Sequence, residues 1–158
     1  MLLIMVENSH PLTLGRLTEQ ASECTCFNLR KAARAVTQYY NEVLKPSGLR
    51  ATQFTLLAAI YNAGPITIKR LAERLIMDRT TLTRNLRPLE KQGLIESASG
   101  EDRRTRAVTL TDRGREVLAQ ALPLWEQAQV EVVGRLGRER WSDLLGHLSS
   151  TVALTWEN

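Results

Sequence analysis

Three observations predict a mostly α-helical chain with one small β-hairpin, an α+β architecture. Apolar residues recur three and four positions apart along most of the 158 residues, the spacing of one helix face. Between Leu94 and Leu110 that spacing gives way to two short extended runs, Leu94-Ile95-Glu96 and Arg106 to Leu110, around a turn containing Gly100. Immediately before the hairpin stands a helix with leucines on one side and basic and hydroxyl side chains on the other. A hydrophobic content of 43% supports a core, and the length suits one compact domain or a small head with helical extensions.

In chain order, Met1 to Val6 is apolar but lacks a basic leader and is too short for a signal segment or a membrane span, so it reads as an arm for a partner subunit. Residues 7 to 15 are irregular, punctuated by Pro11 and Gly15. From about Ser22 to Leu44 a helical run has no Gly or Pro, and Lys45-Pro46-Ser47-Gly48 ends it. Thr52 is predicted to cap a second helix with Phe54, Leu57, Ala58 and Tyr61 on its buried face, stopped by Asn62-Ala63-Gly64-Pro65. Thr67 caps a third helix with Ile68, Leu71, Ala72 and Leu75 inward, and Ile76-Met77 makes a tight connection to the fourth.

Asp78 caps that fourth helix because its short side chain can accept an orphan backbone N–H of the first turn. Leu82, Leu86 and Leu89 form its buried stripe, Pro88 is predicted to kink its last turn, and Gly93 is its stop. After the hairpin, Thr111 caps a long helix through Leu118, Trp125 and Leu136, with Pro123 as a second kink and Gly137 as the break. A last amphipathic helix carries Trp141, Leu144, Leu145, Leu148 and Val152. These terminal helices have too little of their own domain to cover, which predicts a homodimer.

The third and fourth helices make a helix-turn-helix, and a basic hairpin after it is the winged-helix pattern. The predicted layout is a single unit over residues 1–158. Residues 47–114 are the winged helix-turn-helix, and residues 1–46 and 115–158 are dimerisation helices. Charge agrees: from Thr67 to Arg106 ten Lys/Arg face six acids, an excess that equals the whole formal net charge of +4. An α-helix fits the major groove of double-stranded DNA, where Arg pairs with guanine and Thr meets a base edge or a thymine methyl group. Arg79, Thr80, Thr81 and Arg84 are therefore candidate base readers, and Thr83, Arg87 and Lys69 candidate phosphate contacts. At the hairpin tip, Arg103 and Arg104 suit the narrower minor groove. A two-fold dimer would present both heads to an inverted repeat.

Three motifs carry a resemblance: Leu89-Glu90-Lys91-Gln92-Gly93, Asp102-Arg103-Arg104, and Val108-Thr109-Leu110-Thr111-Asp112-Arg113-Gly114. Together they resemble the MarR family of bacterial transcriptional regulators over roughly residues 25 to 150. The resemblance implies a homodimeric, cytoplasmic regulator, with repression the favoured sign, and Arg104 as the wing arginine. It also implies a pocket for a small aromatic or phenolic effector, for which Phe27, Arg30, Arg34, Phe54 and Tyr61 are lining candidates. Some members sense peroxides through a cysteine near the place of Cys24 and Cys26, which makes a thiol-based redox-sensing regulator of the same fold an alternative.

Other classes find little support. Two cysteines make no disulfide framework and fit a reducing compartment, and residues two apart on a helix point about 200° from one another, against a Cys24–Cys26 bridge. No spacing matches a structural zinc motif, no Gly-rich phosphate loop or nucleophile elbow is present, and neither a cofactor nor catalysis is expected. The competitor from another class is a winged-helix module that binds protein and does not read DNA.

Overall fold

The computed structural model describes Thr18, residues 22–99 and residues 106–156. Two compact units part between Gln38 and Tyr39, inside the first helix, α1 (Thr25–Leu44). A 3-10 turn (Lys45–Ser47) ends α1, with Gly48 at φ 75°, a left-handed position that favours glycine. There follow α2 (Ala51–Ala63), β1 (Ile66–Thr67), α3 (Ile68–Leu75), α4 (Arg79–Lys91), β2 (Ile95–Ser99), β3 (Arg106–Leu110), α5 (Asp112–Leu136) and α6 (Arg138–Trp156). The mostly helical fold with a small antiparallel sheet is the one the sequence predicts.

Two local expectations change in three dimensions. The start of α2 is not capped by Thr52; Ala51 is its first residue, and its N–H donates to Asn41 Oδ1 at 2.8 Å while the Arg50 N–H donates to Gln53 Oε1 at 2.9 Å. A partner ten residues away supplies what no local pattern showed. The buried face of α2 also differs: Leu56 and Ile60 are in the core with Phe54 and Leu57, whereas Tyr61 is exposed. This helix packs against α4, α5 and β3, so it is covered on several sides and carries no single apolar stripe. Pro88 lies within α4 and Pro123 within α5, both at exposed positions.

The sheet has the order β1-β3-β2, all antiparallel, with Ile95 opposite Leu110 and Ile66 opposite Val108. A strand of two residues carries no alternation to read, so β1 is visible only once β3 lies beside it. The core joins Leu44, Leu57, Ile60, Leu71, Leu82 and Leu89, each almost fully buried, to Ile95, Val108 and Leu118. Beside it, the Tyr39 hydroxyl donates to Glu131 Oε2 and that of Tyr40 to Gln129 Oε1, tying the last turns of α1 to α5.

The helix-turn-helix is built by two caps and one strained residue. The Thr67 hydroxyl accepts the Arg70 N–H and Asp78 accepts the Thr81 N–H, which satisfies an orphan donor at the start of α3 and of α4. Between the two helices Ile76 adopts φ 52°, the single positive φ of a non-glycine residue among the described residues. A β-branched side chain is costly there, and its N–H closes α3 onto the carbonyls of Ala72 and Glu73. At the far end of α4, Gly93 has φ 68°, with Gly93 N–H bonded to the Glu90 carbonyl and Leu94 N–H to the Leu89 carbonyl. This paired closure turns the chain sharply into β2.

Candidate nucleic-acid interface

On α4, Leu82, Leu86 and Leu89 are buried, while Arg79, Thr80, Thr83, Arg84 and Arg87 are exposed. At about 100° per residue, those five fall within roughly 140° of arc, facing away from the leucine stripe. The three arginine side chains have no hydrogen bond or ion pair among the described residues. Free guanidinium groups on one helical face are available to phosphates and base edges.

The hydroxyl-bearing candidates are less alike than the sequence makes them. Thr80 is exposed; Thr81 is half-buried and its N–H donates to Asp78 Oδ1 at 2.8 Å. The Thr83 hydroxyl donates to the Arg79 carbonyl at 2.7 Å, so in this geometry it offers DNA an acceptor while its proton stays within the helix. Lys69, exposed on α3, lies 3.9 Å from Glu73 one turn on, a weak solvent-exposed pair that leaves the ammonium free to exchange partners. Arg103 and Arg104, the predicted minor-groove candidates, lie outside the described residues.

Hydrogen bonds from the side chain and then the backbone of Thr81 hold the Asp78 carboxyl below the usual carboxylate range. With the folded-state value depressed, the stabilisation is present above the ordinary value and is lost as pH falls through that value toward the lowered one. Asp78→Asn, which keeps a capping oxygen but cannot titrate, should therefore flatten part of the acid limb of the unfolding profile. Thermal unfolding between pH 6 and pH 3 measures it, and superimposable profiles would remove Asp78 from the acid response.

Beside the helix-turn-helix, Lys69, Ala72, Glu73, Ile76, Met77, Asp78 and Arg79 line an open cleft of about 480 Å³. None of the residues named as effector-lining candidates contributes to it. Phe54 is buried and stacked on Trp125, with ring centroids 5.9 Å apart. Tyr61 is exposed on α2, and Phe27, Arg30 and Arg34 are exposed on the first half of α1. Cys24 stands just before α1, half-buried, and its Sγ accepts the Phe27 N–H at 3.4 Å; Cys26 is exposed. Both thiols are free, and neither is the buried apolar filler that small cysteines often are.

The comparisons with known proteins agree with this geometry. The sequence model of the MarR family matches residues 49–105. The chain is 34% identical over 83 residues to YwoH of Bacillus subtilis, an uncharacterised HTH-type transcriptional regulator, covering 52% of this chain and 61% of that one. It is 33% identical over 90 residues to the organic hydroperoxide resistance transcriptional regulator of Bacillus subtilis, covering 56% of this chain and 61% of that one. The matched stretch thus spans about three fifths of the length of these relatives. Among solved structures, the M. tuberculosis transcriptional regulator MosR in complex with DNA is 39% identical, with a TM-score of 0.70 over 82% of this chain and 98% of MosR. These relatives are transcriptional regulators and not enzymes. On the winged helix-turn-helix, the matched family segment and the near-complete coverage of MosR, the chain belongs to the MarR family of transcriptional regulators.

Proposed function

We propose that the chain is a cytoplasmic repressor that binds a palindromic operator as a homodimer. The observation that carries this reading is the exposed face of α4, where Arg79, Arg84 and Arg87 stand free beside Thr80, opposite a fully packed leucine stripe. Two such faces related by a two-fold axis would enter successive major grooves about 34–36 Å apart. The dimer is supported by apolar side chains left open on the two last helices: Leu122 and Val130 on α5, and Leu144, Leu145, Leu148 and Val152 on α6. Selection from a random duplex pool at two salt concentrations, with sedimentation equilibrium of the protein, tests both halves. An inverted repeat, a steep salt slope and a dimer are expected. A folded dimer that enriches no sequence would instead favour a protein-binding module. The MosR–DNA structure supports the DNA partner at the level of the family.

Release of the operator by a small aromatic or phenolic effector completes the reading. A specific observation also favours thiol sensing: Cys24 sits at a helix start with its sulfur on a backbone N–H, and Cys26 is open to solvent. The hydroperoxide-resistance relative supports it by its named role. Oxidant should release operator DNA from the parent and fail to do so from Cys24→Ser, with Cys26→Ser showing whether the second thiol takes part. Release from the double variant equal to that from the parent, followed by mobility shift, would rule the thiols out.

A further inference from the structure

At the junction of α4, the sheet and α5, one hydroxyl joins three elements. The Thr111 hydroxyl donates to the Gly93 carbonyl at 2.6 Å, eighteen residues away in sequence and two residues beyond the end of α4. The same oxygen accepts the Gly114 N–H at 3.0 Å, capping α5. Alongside, the Thr111 N–H donates to the Leu94 carbonyl at 3.1 Å, and Gly114 lies so close to that carbonyl that a Cβ would meet its oxygen at 2.0 Å. A helix cap needs only the second of these bonds. The first reaches backward to the turn that ends α4, so one side chain adds a bond between that turn and the first turn of the long helix.

We propose that Thr111 is a positioning residue that fixes the angle of α4 relative to α5, and thereby the separation of the two reading helices across the dimer. The proposal rests on the operator-binding reading above. Because α5 bears part of the surface assigned to the dimer, a firm junction transmits the two-fold geometry to the DNA-facing side chains. A loose one lets each head rotate about the end of α5, and half-site spacing is then read poorly even with every contact residue present.

Two substitutions separate clamping from capping. Thr111→Asp keeps an oxygen that accepts the Gly114 N–H but has no proton for Gly93, whereas Thr111→Ser keeps both bonds. The parent and both variants are titrated on the selected operator and on versions with one base pair added to or removed from the spacer, with melting temperature and salt slope recorded. The parent and Thr111→Ser should discriminate the altered spacers about tenfold or more, while Thr111→Asp should bind the best operator about tenfold more weakly and discriminate less than about threefold, at an unchanged salt slope. Thr111→Val, which loses both bonds, should show the same loss of discrimination together with a lower melting temperature.

A Thr111→Asp protein that is folded, dimeric and as spacing-selective as the parent would overturn the proposal, as would a Thr111→Ser protein no more selective than Thr111→Asp. Should Thr111→Asp fail to fold, the Ser and Val pair decides by the same spacing comparison below the melting temperature of the Val variant. A parent that enriches no duplex at all overturns the operator reading itself, and the assignment of Thr111 falls with it. A failure confined to the variants leaves operator binding standing.

Discussion

Gly114→Ala is expected to destabilise the fold by about 3 kcal/mol, a drop of roughly 10 °C in melting temperature for a chain of this length. The new Cβ would meet the Leu94 carbonyl oxygen at 2.0 Å, and the obstacle is backbone, so no change of rotamer relieves it. Either the start of α5 or the turn after α4 must move. Moving the turn would disturb the paired closure at Gly93 and Leu94 and the pairing of Ile95 with Leu110 just beyond it. At an exposed helical site the same substitution ordinarily stabilises, because alanine is the better helix former, so the sign of the effect is itself diagnostic. Differential scanning calorimetry of Gly114→Ala beside Gly146→Ala, a helical position where nothing lies within reach of an added Cβ, measures it. Equal melting temperatures for the two variants would show that the close approach at Gly114 has no energetic consequence.

The double substitution Arg79→Ala, Arg84→Ala is expected to weaken operator binding by about thirtyfold or more while leaving a folded dimer. Each arginine of a reading helix contributes about 1–3 kcal/mol. Five residues of helix separate the pair by about 7.5 Å along the axis, far enough for the two losses to add approximately. Neither side chain has a partner among the described residues, so stability should change little. The salt dependence divides the possible contacts: loss of two phosphate contacts lowers the slope by about two, whereas loss of base contacts relaxes sequence preference at an almost unchanged slope. Parent-like affinity at moderate salt would remove this face of α4 from the DNA interface.

Three of the helix caps and the polarity of the reading helix were legible because each depends on neighbours three or four residues away. Thr67, Asp78 and Thr111 serve as caps at the positions the sequence indicates, each accepting the N–H three residues on. Leu82, Leu86 and Leu89 are buried because their spacing places them on one side of any α-helix, whatever covers that side. The arginines and threonines between them are exposed by the same geometry. The wing arginines Arg103 and Arg104 rest on motif and spacing alone.

Tertiary structure decided what depends on distant partners. Asn41 caps the start of α2 from the preceding helix, and β1 exists because β3 passes beside two residues that carry no periodic signal of their own. Packing against three elements, not periodicity, took Leu56 and Ile60 into the core and left Tyr61 outside. Phe54 stacks on Trp125, a residue 71 positions away, a contact that no local pattern shows. The helix-turn-helix and its basic face could be read from the chain because local hydrogen bonding and helical periodicity are short-range properties, and the family from its three motifs. Only the folded chain decided that Thr111 reaches the Gly93 carbonyl and that Gly114 lies against Leu94, because those contacts join segments about twenty residues apart whose meeting is set by the core they share.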